Sequence, residues 1–196
     1  DGCGRCGCPA LGLGVKGKVP DWDLTLVSEQ AEVDAFLAWV DGIDGMISID
    51  TETCGLDWTQ HSFTRLVQFA DDRRSWAVPT AWWGRSLMRA LATIRDKGRP
   101  VAFWNAGFDM HALEGDGFPV PHWHQVVDGY ILHHLLVPHE RHGLKVTAAE
   151  ELGRWATVGE AKLRHDMNEN RWSWDTVPVD WPAYWQSGCV DTLITQ

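Results

Sequence analysis

The chain has 196 residues, 44% hydrophobic and 22% charged with 13 Trp, so it can bury a core and is not disordered as a whole. Its 17 Lys and Arg stand against 27 Asp and Glu, a net charge of −10, which excludes a protein that grips nucleic acid through a broad basic surface. No apolar run is long enough to span a bilayer and no signal-peptide pattern opens the chain, so a membrane partner is not expected.

Residues 1–20 are Gly- and Cys-rich without a hydrophobic period, and carry +2 from Arg5, Lys16 and Lys18 against Asp1, leaving −12 on the rest. They read as a tail or linker. Cys3, Cys6 and Cys8 could form part of a zinc site, although thiolate sites close with four ligands and no second pair follows. The plainer reading is a thiol-bearing arm. Five unevenly placed cysteines do not make a disulfide framework and point to a reducing cytoplasm. Asp at position 1 suits a fragment or processed product.

Residues 21–196 read as one α/β domain. Asp23–Val27 is strand-like, and Ser28 can cap a helix whose apolar stripe is Val33, Phe36, Leu37 and Val40. Met46–Thr51 reads as a buried strand. Arg65–Ala70 and Ser75–Val78 predict a hairpin across the polar turn Asp71–Arg74. Leu87, Met88, Leu91 and Ile94 fall at helical spacing, and Gly98 ends that helix. Val101–Trp104 is a short strand followed by a helix from about Ala106. Asp128–Leu136, Thr147–Leu152 and Trp181–Ile194 are expected to be helical. The pattern predicts a mixed five-stranded sheet flanked by helices.

Three motifs carry acids. In Ile49-Asp50-Thr51-Glu52-Thr53, positions i and i+2 of a strand share a face, so Asp50 and Glu52 project together. Two ionised carboxylates so placed need a cation or water over both; the alternative is a solvated strand end. In Trp104-Asn105-Ala106-Gly107-Phe108-Asp109, Asn105 is a good N-cap for the Phe108 amide and Asp109 an exposed acid favoured by the helix dipole. Gly107 would let another backbone approach. In the third motif Asp180 can cap, Pro182 suits the first turn, and Ser187 and Asp191 lie one turn apart on one face, with Tyr184 a turn further back. Each motif alone also suits an ordinary structural role.

The order of these motifs resembles the DEDD (DnaQ-like) 3′–5′ exonuclease superfamily, most closely the proofreading domain of phage-type family A DNA polymerases. The resemblance extends through most of residues 21–196 and includes Arg65–Phe69, Asp128 in Val127–Leu132, and His142-Gly143-Leu144-Lys145. It implies an RNase H-like fold and hydrolysis of terminal phosphodiesters of single-stranded or frayed DNA to nucleoside 5′-monophosphates. It implies that Asp50, Glu52 and Asp191 hold one of two Mg²⁺ or Mn²⁺ ions, that Asp50 shares the second with the scissile phosphate, and that Asp109 acts through water. Hard oxygen ligands suit these ions, and cations at the site would let an acidic protein hold a DNA 3′ end. Leu56 and Phe108 resemble positions that pack on the terminal sugar or base, and Asn105 would contact the strand backbone. In such polymerases a polymerase domain follows where this chain ends, so a polymerase domain or subunit is an expected partner.

The pattern breaks at one place. The family puts Tyr four residues or His five residues before the last Asp, to orient the attacking water; here these are Ser187 and Gln186. Tyr184 lies seven residues before Asp191 and leans away from it, unless an irregular turn at Gly188 brings it nearer. Impaired, Mn²⁺-favouring catalysis follows, and restoring Ser187→Tyr should raise hydrolysis of single-stranded DNA. The departure also leaves open a silent module that serves as scaffold or docking surface; a stand-alone exonuclease on RNA or oligonucleotides is a further alternative. Asp128 is expected to position a helix or a water rather than bind metal. The cluster His133, His134, His139 and His142 is read as surface or core histidines rather than zinc ligands, and Cys54, continuing the Asp50/Glu52 face, as a packing residue.

Overall fold

The computed structural model describes residues 20–57 and 63–196. Cys3, Cys6 and Cys8, and with them the zinc reading of the tail, lie outside the described residues.

Six strands form one mixed sheet: β1 (Asp23–Leu26), β2 (Ile47–Thr53), β3 (Thr64–Ala70), β4 (Arg74–Pro79), β5 (Val101–Phe103) and β6 (Val126–Asp128), in the order β1-β4-β3-β2-β5-β6. The expected hairpin is present: β3 and β4 pair antiparallel, with Asp71 Oδ1 accepting from the Arg73 and Arg74 amides to tighten the turn. β2 is antiparallel to β3, while β5 and β6 run parallel in series from β2, and β1 is parallel to β4. The count exceeds the expected five because β6 is a three-residue edge strand whose Asp128 reads as the start of the following helix.

Alternation along the strands separates two layers. Val67 and Phe69 of β3, Trp76 and Val78 of β4, and Ile47 and Ile49 of β2 face a core shared with α1 (Gln30–Gly42), α2 (Thr80–Asp96) and α3 (Ala106–Gly115). Fully burying each such side chain contributes about 1.5–3 kcal/mol. α1 begins one residue later than Ser28 suggests: Glu29 is its N-cap, and the Glu32 carboxylate reaches back to the Ser28 and Glu29 amides. In α2, Ala90 takes the core position and Met88 faces out, while Gly98, at φ 65°, follows the helix end as expected.

The opposite face carries a smaller cluster of Leu66, Leu163, Met167, Val177, Ala183 and Tyr184, contributed by β3, α6 (Val158–Asn170), α7 (Pro182–Thr195) and the loop between these helices. Arg65 ties that loop to β3 by donating to the carbonyls of Trp174 and Val177. Pro182 opens α7 as predicted, but its N-cap is Trp181 rather than Asp180. Between β6 and α6 lie α4 (Gly129–Leu136) and α5 (Leu144–Glu151). Among the described residues no helix is long and apolar enough to cross a membrane.

Candidate active site

β2 turns Ser48, Asp50 and Glu52 toward α7, away from the larger core. The Ser48 hydroxyl donates to the Thr192 carbonyl at 2.7 Å, and the hydroxyls of Ser75 and Thr192 meet at 2.9 Å, so small polar groups seat α7 on the sheet. Gly188 makes the close approach possible. A Cβ there would stand 2.1 Å from Gln68 Nε2 and 3.1 Å from Glu52 Oε1. Gly188 therefore serves contact inside a continuous helix rather than the irregular turn considered from sequence. Gln68 pairs opposite Asp50 across the β2–β3 ladder, and among the described residues neither polar atom of its buried amide has a hydrogen-bond partner.

Asp109 arrives from the other side. Pairing of β2 with β5 covers only Ile47–Val101 and Ser48–Ala102, so the Thr51 amide further along finds a side chain instead. Asp109 Oδ1 accepts from Thr51 N at 3.0 Å and from Thr51 Oγ1 at 2.6 Å. The acid is 3% exposed, not the exposed residue the helix-start position suggested. Asn105 is not a side-chain cap either: it adopts the left-handed region at φ 72°, and its backbone carbonyl accepts from Phe108. The cap comes from Asp128, whose carboxylate accepts from the Asn105 and Ala106 amides and from Tyr130 and Ile131 at the start of α4. One carboxylate thus joins two helix N-termini. A Cβ on Gly107 would meet nothing within 4 Å among the described residues, so none of their backbone uses that glycine.

The four acids interact electrostatically. Burial, then the charges of Asp109, Asp191 and Glu52, hold the Asp50 carboxyl well above its ordinary range. Burial and Asp191 push Glu52 up to about 8; burial pushes Asp109 up to about 7 against the opposing Thr51 hydrogen bonds. Asp191 is raised by burial despite an ion pair between its Oδ1 and Lys145 Nζ. Yet among the described residues no three His, Cys, Asp or Glu side chains surround one point as ligands of a single ion. The cation engaged with the cluster is the Lys145 ammonium, a residue the sequence marks only as part of a family-like string.

Acids from the second strand, from the first turn of α3 and from the last helix thus act on one another around β2. Residues 24–178 match the 3′–5′ exonuclease family of the DNA polymerase A type. The chain belongs to that family. The DNA polymerase of Mycobacterium phage D29 is 25% identical over 189 residues, with 88% of this chain and 31% of the relative covered. The DNA polymerase of Mycobacterium phage L5 is 24% identical with the same coverage, so the chain spans about a third of the length of these relatives. Among solved structures, the Aedes aegypti Nibbler EXO domain superposes with TM-score 0.64 at 13% identity, covering 88% of this chain and 83% of that one. Trypanosoma brucei RNase D gives TM-score 0.63 at 16% identity, covering 88% and 62%. These structures share the fold, and the RNase H-like α/β expectation holds.

The other expected site residues of this exonuclease-family domain divide clearly. Leu56 is 85% exposed, Asn105 is exposed, and Phe108 is half-buried edge-on to Phe63. Ser187 is buried, with its Oγ 3.8 Å from where a Gly159 Cβ would lie, so it faces α6. Tyr184 is fully buried in the smaller cluster under the Arg65 guanidinium, and among the described residues its hydroxyl has no hydrogen-bond partner. A register shift at Glu52/Thr53 interrupts the alternation before Cys54, whose electrostatic neighbours are Arg65, Asp175 and Asp116. His142 bridges His133 and His134, each contact 2.8 Å between ring nitrogens, and its carbonyl accepts from Trp104 Nε1. Sequence reasoning missed Gln68 and Thr51, which are uncharged and recognisable only through their partners. It also missed Glu160 at the start of α6, whose charge acts on Glu52 and Asp191.

Proposed function

We propose that this domain removes nucleotides from the 3′ ends of single-stranded or frayed DNA, releasing nucleoside 5′-monophosphates, with Mg²⁺ or Mn²⁺ as cofactor. The observation that carries this reading is the convergence of four acids around β2: Asp109 on the Thr51 amide, Glu52 against Gly188 of α7, Asp191 on that same helix, and Asp50 raised by burial and by the charges of the other three. The donor set fits hard divalent ions: it offers carboxylate oxygens short of positive charge, beside an orphaned Gln68 amide able to orient an ionised neighbour. Asp50, Glu52 and Asp191 would hold two ions, with Asp109 acting through water, and the ions would neutralise the scissile phosphate and activate the attacking water.

The chain's own contribution is placement. Thr51 fixes the Asp109 carboxylate with two hydrogen bonds, and Asp128 holds the start of α3 beneath Asn105. Exposed Leu56 and half-buried Phe108 would pack against the terminal nucleotide, where stacking is worth about 1–3 kcal/mol per base. DNA is favoured over RNA by the polymerase-type family and by the phage DNA polymerases among its relatives, which also support proofreading beside a polymerase domain or subunit.

A second reading, a silent module that docks a polymerase, draws on buried Ser187 and Tyr184: neither presents the water-orienting group of the family pattern. End-labelled DNA and RNA, incubated with Mg²⁺, Mn²⁺ or EDTA, separate the readings. A ladder of single-nucleotide steps from the DNA 3′ end is expected with metal, strongest in Mn²⁺. Asp50→Ala should slow it by about 10²–10³-fold, the order lost when a charge-stabilising group is removed. A ladder from RNA alone supports a stand-alone ribonuclease, and no ladder from either supports the silent module.

A further inference from the structure

We infer that Lys145 is a resident cation of the acid cluster, one that competes with divalent ions for Asp191 and so sets the metal affinity of the site. The inference rests on the metal-site reading above. Lys145 lies in the first turn of α5, and its ammonium pairs with Asp191 Oδ1 while the two side chains are only 21% and 17% exposed. The contact is therefore more enclosed than the other ion pairs that join separate elements, such as Arg74–Asp23 and Lys97–Asp41, which lie open to water.

Both partners are anchored. α5 starts two residues after His142, whose carbonyl is held by Trp104 at 2.8 Å, and the carbonyl of its N-cap Gly143 accepts from Val146 and Thr147. Asp191 sits inside α7, which is locked to the sheet through Ser48, Ser75 and Thr192. Among the described residues, of the charges acting most strongly on Asp50, Glu52 and Asp191, Lys145 alone is positive. An ammonium and a divalent ion on one carboxylate repel each other strongly where water is scarce. A metal that takes Asp191 must therefore displace the lysine head group, which can swing outward on its flexible stem.

Mn²⁺ alone is the probe, titrated calorimetrically into wild type, Lys145→Gln, Lys145→Arg and Asp50→Ala at a pH above that of Glu52 ionisation. Lys145→Gln removes the charge and should bind Mn²⁺ about tenfold more tightly than wild type, whereas Lys145→Arg keeps it and should show no such gain. Equal or weaker binding by Lys145→Gln overturns the inference. If wild type binds, Asp50→Ala does not, and Lys145→Gln gains nothing, the lysine proposal alone falls. If wild type and Lys145→Gln both fail to bind, the metal-site reading falls with it. Should Lys145→Gln not fold, amine acylation of the wild type read by peptide mass spectrometry decides. Mg²⁺ should raise labelling of Lys145 severalfold by releasing its ammonium, and unchanged labelling contradicts the displacement.

Discussion

A carboxylate that is buried among other carboxylates holds its proton, and this is the condition of Asp50, Glu52, Asp109 and Asp191. The folded state binds these protons more tightly than the unfolded chain does. Their contribution to stability is thus fully present below the unfolded values and is lost as pH rises through the folded ones. For Glu52 that window runs from 4.5 to about 8, and for Asp109 from 3.8 to about 7. Thermal melts in EDTA should accordingly show a melting temperature that falls between about pH 4.5 and pH 8, and Mn²⁺ should restore it most at the upper end. A flat profile in EDTA would mean that burial and neighbouring charge do not hold these acids above their ordinary range. The pairing of Asp50 with Glu52 was readable from i, i+2 spacing. The burial of Asp109 was not, because it depends on where β5 stops and leaves the Thr51 amide to a side chain.

Two elements determine how these acids are presented. Asp128 accepts from four amides at the starts of α3 and α4, so Asp128→Ala strips caps from both helices. A loss of about 1–3 kcal/mol is expected, read as a lower urea midpoint with unchanged slope. Its magnitude distinguishes a shared cap from a solvated acid, which would cost almost nothing. In α7, Ser187 packs toward Gly159 of α6, which changes the expectation for Ser187→Tyr. Rather than restoring a water-orienting group, the larger ring should force the two helices apart, at about 1–3 kcal/mol and without faster DNA hydrolysis. A faster variant of normal stability would show that this position does face the acids. Most elements were legible from period and turn chemistry, including the β3–β4 hairpin and the Pro182 start of α7. α6 was not: its thirteen residues are mostly polar and bury Leu163 and Met167, too few to make an apolar stripe. β6 escaped for a different reason, since three residues give no period.

At the scale of the molecule, a chain of net charge −10 is proposed to act on a polyanion, so attraction must be supplied locally. The acids that converge around β2 would supply it through the divalent ions they are proposed to hold, and a monovalent lysine already pairs with one of them. Order along the chain made the family legible, because strand, strand-to-helix junction and last helix each carry their acid in turn. The identity of the cation at the cluster was not legible, since the Lys145–Asp191 pair joins residues 46 positions apart through the docking of α5 and α7. The direct test is an anomalous difference map from crystals soaked in Mn²⁺. A peak within ligand distance of Asp50, Glu52 and Asp191, with the Lys145 head group moved off Asp191, is the predicted result. Manganese bound elsewhere, or no peak beside these carboxylates, would contradict the account.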